Sequence, residues 1–335
     1  MTILGAGDIL GLLNSTYATD LLIAVVSEHD IFTSLAQRES TSAEQLAELL
    51  KIDERAADVT LTYLVALGLL ERLPDGAVRP AGPANEHLIA GVPADLRHYV
   101  SMFRDRPGCR DAIQVLKTGR PAPWESQGED WLNRMSTTDF ADMFTAGMNA
   151  RGTYISPALA EAIRDLGPKR ILDIGGSSGV YACALVDALP ETTAAVLDLP
   201  SVVDFSRSSI AARGKSDRVD VIAGDMFGEL PPGFDLHLYS NVLHDWNAGN
   251  IERLAKASFN ALPPGGFLVD HDMHLDDTKS GPLREAEFSV RMMLITEGKC
   301  YSTPELAEIL TGVGFVDVHN RPTIAGYSVV VARKP

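Results

Sequence analysis

From Lys169 onward the chain repeats one pattern: a short apolar run, a turn, then a stretch with helical periodicity. The apolar runs are RILDIGG, AAVLDLP, VDVIAGDMF, FDLHLYSNVL and GGFLVDHDMH. Short runs alternating with helical segments bury both faces as parallel strands joined by helical crossovers, so an α/β, doubly wound sheet is predicted. GFVDVHNRP and GYSVVVARK have no helical segment between them and are expected to close the sheet as an antiparallel hairpin.

In a sheet of this kind ligands sit at the carboxyl edge of the strands. There RILDI runs into Gly175-Gly176-Ser177-Ser178-Gly179, and VYACALVDAL continues with a helical pattern. Glycine serves where the backbone turns sharply and where a ligand approaches with no Cβ in the way. The next strand ends at Asp198, whose carboxylate can accept both hydroxyls of a ribose.

A glycine turn with an acidic residue about twenty positions on also fits a nicotinamide-dependent dehydrogenase. Three features separate the two readings. Asp173 stands just before the glycines, a further acidic turn Gly224-Asp225-Met226-Phe227 follows the third strand, and the hairpin closes the sheet. Asp225 can accept from an adenine amino group while Met226 or Phe227 covers the ring, a pocket for adenosine without a pyrophosphate.

The fourth run leads into Asn241-Val242-Leu243-His244-Asp245-Trp246, which puts His244 just past a strand end on the ligand edge. A phenol ionises near pH 10 and histidine near about 6.5, so neutral imidazole can take a hydroxyl proton as attack proceeds. A structural histidine at a helix start is the alternative. His271 and His274 have opposite strand parity and should point to opposite faces, so no metal is expected to be held here.

The first hundred residues have a different character. Apolar positions from Asp20 to Ala36 recur at helical spacing and predict one buried amphipathic helix. Thr41-Ser42-Ala43-Glu44-Gln45 reads as a capping box, and Asp53 caps a second helix that breaks near Gly68. Pro74-Asp75-Gly76 then turns a hairpin, giving a helix-turn-helix with a wing.

Winged helices often read DNA, but residues 1–90 carry five Arg and Lys against thirteen Asp and Glu, and the whole chain has net charge −16. Such a surface repels a phosphate backbone, so packing or dimerisation is the expected role, ahead of a ligand-sensing DNA regulator. Three scattered cysteines give no disulfide framework and fit a reducing cytoplasm. No basic leader precedes an apolar run, and no uncharged apolar stretch reaches about 18 residues, so neither a signal peptide nor a membrane span is expected.

LDIGGSSG, LDLP, AGDMF, SNVLHDW, LPPGG, TEGK and the winged helix together give the chain a resemblance over nearly its whole length. It resembles the small-molecule O-methyltransferases typified by plant caffeic-acid and animal acetylserotonin enzymes and by bacterial tailoring relatives. The resemblance implies a winged-helix-like dimerisation domain over 1–100, a helical connector lining the acceptor pocket over 101–165, and a methyltransferase domain with a Rossmann-like sheet over 166–335. It implies S-adenosyl-L-methionine as donor, an aromatic small-molecule acceptor and a homodimer. It adds Leu199, Ser240 and Asn241 to the cofactor contacts named above.

By the same resemblance His244 is the general base, oriented by Asp272, and Phe144 and Met148 line the acceptor alongside it; Met292 and Met293, just before the TEGK loop, add to the same apolar slot. The family's second acidic position falls at Cys300, a weak hydrogen-bond partner. Either Asp272 acts alone or Glu297, three residues earlier, replaces the lost carboxylate. That departure leaves C- or N-methylation as the alternative reaction. Trp124 and Phe103 add to the apolar slot, and Arg104, Arg106 and Arg291 are candidates for pairing with an acceptor carboxylate.

Overall fold

The computed structural model describes residues 4–122 and 138–335. The chain forms two units, one from Met1–Asp130 with Leu275–Ser302, the other from Trp131–His274 with Thr303–Pro335. The expected boundaries at 100 and 165 therefore miss an excursion: Leu275–Ser302, assigned from sequence to the methyltransferase domain, joins the first unit.

The first unit is mainly helical. The helix-turn-helix comprises Ala43–Leu50 and Glu54–Ala66. At its start the Ser42 hydroxyl accepts from Gln45 N at 3.3 Å while Ser42 N donates to Gln45 Oε1 at 2.9 Å, the reciprocal cap that the sequence predicts. Asp53 Oδ1 accepts from Ala56 N at 3.0 Å and opens the second helix. The wing is the antiparallel pair β1 (Leu70–Arg72) and β2 (Val78–Pro80), turned at Gly76 with φ of 85°.

Between Asp20 and Ala36 the single predicted helix is two, Thr16–Ser27 and Ile31–Ala36, broken at Asp30 with φ of 42°. Both bury their apolar residues, among them Leu21, Val25, Ile31 and Phe32, in one core that also takes Leu61, Leu64 and Val115. The helix Leu283–Ile295 adds Val290, Met293 and Leu294 to that core, which is why its segment belongs to this unit.

One helical stretch, Ala6–Ser27, is long and apolar enough to cross a membrane by length and composition, although Asp8 and Asp20 interrupt it. It changes helix at Ser15, and Ala18, Leu21, Ala24 and Val25 of its second half lie in the unit's core. Burial of that kind marks a core helix.

The helix Glu54–Ala66, which a DNA reader would present to bases, has its first turns occupied. Arg55 donates to the carbonyls of Thr296 (3.1 Å), Gly298 (2.6 Å) and Gly119 (2.8 Å). Asp58 accepts from both Lys279 and Lys299.

The second unit is a seven-stranded sheet in the order β5-β4-β3-β6-β7-β9-β8. β3 (Arg170–Ile174), β4 (Thr193–Asp198), β5 (Val219–Ala223), β6 (Leu236–Ser240) and β7 (Phe267–Met273) run parallel. β8 (Val316–Pro322) and β9 (Tyr327–Arg333) form the predicted antiparallel hairpin, joined to β7 through β9. The central strands are apolar because both faces are covered, as Ile171, Val196, Leu238, Val269 and Val330 are at full burial. The order reverses between β3 and β6, so their carboxyl ends splay apart and open the ligand edge.

Candidate active site

The turn after β3 is built for close approach. A Cβ on Gly176 would stand 2.6 Å from the Asp173 carboxylate, and Gly175 adopts φ of 70°. Ser177, where a third consecutive glycine would be easier, takes φ of 48°. Its strain is offset by Ser177 N donating to Asp198 Oδ2 at 2.8 Å.

Asp198 Oδ1 accepts from Leu199 N at 2.7 Å, so backbone donors fix both oxygens and leave their remaining lone pairs for a diol. Burial raises the Asp198 pKa against those two bonds. Asp173 is fully buried, its Oδ2 accepts from Ala182 N at 3.3 Å, and burial pushes it up to about 7. Its Oδ1 has no partner among the described residues, an opening that a ligand donor would fill.

Gly224 N donates to the Asp198 carbonyl at 2.9 Å, so the acidic turn after β5 sits beside the β4 end. Asp225 is exposed, and its Oδ1 accepts from Phe227 N at 3.0 Å. Met226 and Phe227 are half-buried, and the Phe227 ring meets Trp246 edge-on at 4.8 Å between centroids. Orphaned Asp173 Oδ1, the Cβ-free cradle and the prepared Asp198 carboxylate together fit a nucleoside without a pyrophosphate.

At the end of β6, the Ser240 hydroxyl pairs with His271 Nδ1 at 2.9 Å. Asn241, at φ of 57°, donates through Nδ2 to the Tyr181 hydroxyl (3.0 Å) and accepts at Oδ1 from the Tyr327 hydroxyl (2.9 Å). Burial pushes His271 down to about 3, so it is a neutral ring. His274 pairs separately with Asp270 (3.0 Å) and Ser328 (2.7 Å), and the two histidines serve different partners.

His244 lies in the short turn Leu243–Asp245 beyond β6, and β7 carries Asp272 to it. His244 Nδ1 donates to Asp272 Oδ1 at 2.7 Å, and Asp245 Oδ1 stands 3.4 Å from Nε2. Burial works against the imidazolium, but the Asp272 and Asp245 carboxylates outweigh it and hold His244 above the ordinary histidine value. Burial would also lift Asp272, yet the His244 ring beside it keeps that carboxyl below the usual range. With Nδ1–H committed to a carboxylate, Nε2 presents its lone pair and can take a proton.

The structure brings His244 and Asp272 together and adds Asp245 as the second nearby carboxylate, a role not read from sequence. Glu297 and Cys300 belong to the first unit; Cys300 is buried there and its N donates to the Ser289 hydroxyl at 3.1 Å. Met292 and Met293 are buried in that unit, Met293 inside its core. Met148 is half-buried on the helix Thr138–Ala162 of the second unit. Phe144 shares that helix, but its side chain, like Trp124, lies outside the described residues. Of the arginine candidates, Arg106 pairs with Asp20 at 2.6 Å and Arg291 donates to Asn14 at 2.8 Å.

Comparison with known proteins gives this edge its context. Residues 113–316 match the model of the O-methyltransferase domain family. A 3-hydroxy-5-methyl-1-naphthoate 3-O-methyltransferase of Streptomyces sahachiroi is 32% identical over 90% of this chain and 87% of its own length. The tetracenomycin polyketide synthesis 8-O-methyl transferase of Streptomyces glaucescens is 30% identical over 99% of this chain and 97% of its own. A crystal structure of an O-methyltransferase family 2 protein from Planctomyces limnophilus, in complex with apigenin, superposes with a TM-score of 0.86 at 28% identity, covering 100% of this chain and 98% of that one. With the nucleoside cradle and the histidine–carboxylate pair on one sheet edge, and relatives matched from end to end, the chain belongs to the O-methyltransferase domain family.

Proposed function

We propose that the protein transfers a methyl group from S-adenosyl-L-methionine to a hydroxyl of an aromatic small molecule, with His244 as general base. The observation that carries this reading is the 2.7 Å bond from His244 Nδ1 to Asp272, which fixes the tautomer in which Nε2 is the basic nitrogen. S-adenosylmethionine supplies a methyl group on a sulfonium sulfur, an electrophile that needs alignment more than activation. The chain's own residues do the rest.

Asp198 takes the ribose hydroxyls, with Leu199 beside it. Asp225 takes the adenine amino group, and Met226 and Phe227 cover its ring. Asp173, Gly175 and Gly176 shape the turn, and Ser240 and Asn241 close the edge near the methyl group. Phe144, Met148, Met292 and Met293 are the acceptor-lining residues of this reading. Glu297 is a reserve carboxylate, second to Asp272 because Asp272 already bonds the base. The naphthoate named for the Streptomyces sahachiroi relative and the apigenin of the Planctomyces structure are hydroxylated aromatics, which supports the acceptor class.

The protein incubated with a methyl-labelled donor and a panel of phenols and hydroxynaphthoates is expected to yield labelled methyl ethers by mass spectrometry. Label found on ring carbon or nitrogen, and on no oxygen, would overturn the O-transfer reading.

The working unit in this reading is a homodimer formed through the first unit. Ile9, Leu12 and Leu13 of the helix Ala6–Asn14 are each more than half exposed, an apolar face that a lone subunit leaves in water. Sedimentation equilibrium at micromolar protein should return twice the chain mass. A single-chain mass there would remove the dimer from the proposal.

A further inference from the structure

Phe227 stands in the turn after β5, an edge strand, yet its ring is held by residues that follow β6, near the middle of the sheet. Trp246 meets it edge-on, and the Arg253 guanidinium lies over it with the central carbon 4.8 Å from the ring centroid. Trp246 follows the turn that bears His244, and Arg253 is in the second turn of the next helix, Ala248–Ala261. β4 and β3 lie between β5 and β6 in the sheet, so these contacts reach across the strand ends that carry Asp198 and the glycine turn.

Arg253 is exposed, and an exposed arginine on a helix is ordinarily solvated. Here it is tethered. Its acidic neighbour Glu252 is taken by Lys256 at 2.5 Å, while Arg253 Nη1 donates to Asn250 Oδ1 at 3.2 Å, one turn back. The negative face of an aromatic ring attracts a guanidinium, and the edge-on ring contact adds to that attraction.

The turn around Phe227 gives the ring little cover of its own, since Ala223, Asp225 and Gly228 are exposed. Its backbone is set by Phe227 N on Asp225 Oδ1 at 3.0 Å and by Gly228 N on the Asp225 carbonyl at 2.9 Å. The ring is not. Ordering a mobile side chain as a ligand arrives weakens binding, and a ring already held in its bound place avoids that loss.

We propose that Arg253 is a positioning residue for the methyl donor, its guanidinium holding the Phe227 ring, against Trp246, in the place from which it covers adenine. The inference rests on the assignment of Phe227 to adenine above. Arg253 acts on donor affinity and not on the transfer step, because His244 is set separately by its bond to Asp272.

The test is a double-mutant cycle in the full chain, read by calorimetry with S-adenosylhomocysteine. Arg253→Met, which keeps a helix-forming unbranched side chain, should raise Kd about three- to fivefold, and Arg253→Lys less than about twofold. Phe227→Leu should raise it about tenfold, the loss typical of an aromatic partner for a base. With leucine at 227, adding Arg253→Met should cost less than about 1.5-fold more, since the cation then has no ring to hold. In Arg253→Met, kcat at saturating donor should stay within about twofold while the donor KM rises with Kd. An unchanged Kd in Arg253→Met overturns the proposal, and so does a loss that persists in full beside leucine, which would make Arg253 a structural residue independent of the ring. An unchanged Kd in Phe227→Leu is a different failure: it removes Phe227 from the adenine site and with it the reading on which the inference rests. Should Phe227→Leu not fold, Phe227→Met closes the same cycle with the same expectations.

Discussion

Replacing His244 with alanine is expected to lower methyl transfer to a hydroxyl by about 10²–10⁴-fold, the range typical for loss of a positioned general base. Cofactor affinity should change less than about threefold, because the bonds that set the Asp198 carboxylate come from Ser177 N and Leu199 N. The alanine leaves the Asp272 carboxylate buried and unpaired, so a loss of folding could mimic a loss of base. His244→Asn keeps an N–H for Asp272 without supplying a base, and should show the same kinetic loss with a thermal midpoint near that of the wild type.

The pH dependence follows in sign. Asp272 and Asp245 hold His244 above the ordinary histidine value, so its neutral form is lost at a higher pH than for a free imidazole. Log kcat/KM should therefore fall with unit slope as pH drops through a midpoint above about 6.5, and that limb should vanish in the asparagine variant. Turnover within tenfold of wild type, or a limb that persists, would take His244 out of the mechanism.

Asp198→Ala is the second large effect. Its carboxylate is preset by Ser177 N and Leu199 N to receive a diol, and two charge-assisted bonds at about 1.5 kcal/mol each amount to roughly a 100-fold or greater loss of affinity. Calorimetry with S-adenosylhomocysteine should show that loss, whereas kcat at saturating donor should stay within about threefold. Removing the carboxylate also takes away the partner of Ser177 N in a left-handed backbone, leaving the Ser206 hydroxyl on its carbonyl, so the turn should loosen as well. An unchanged Kd would mean that the ribose binds elsewhere.

Much of this edge could be read from the chain itself because the relevant signals are local. A strand that ends at glycines, an acid at the end of the next strand, and a histidine just past another all follow from periodicity and spacing. Asp272 came from the family resemblance, because nothing local ties it to His244. The break at Asp30 was invisible for a physical reason: the helices on either side bury residues in the same core, so the apolar period runs on while the backbone turns. Asp30 reaches that left-handed turn more readily than most residues.

Other features depend on tertiary proximity. A lone arginine in a helix reads as solvated, yet Arg151 is half-buried on a helix that Gly152 seats against Val180 and Tyr181. Asp245 adjoins the base in sequence, but which carboxylates share the imidazole is decided by where β7 ends. Nor could an amphipathic pattern say which of two cores would take the helix Leu283–Ile295. Val290, Met293 and Leu294 are equally apolar toward either.

The excursion of Leu275–Ser302 has a consequence for how the gene can be cut. The chain leaves the sheet unit at His274, builds part of the helical unit, and returns at Thr303. At its base Leu275 pairs with Ser302 and bonds Tyr301, while Arg55 and Asp58 grip its loops. A fragment beginning after residue 130 would thus carry a twenty-eight-residue tongue stripped of its anchors, with Val290, Met293 and Leu294 turned into water. The sheet is not a module that recombination can lift out whole; exchange between relatives has to move the tongue and the amino-terminal helices as one inheritance.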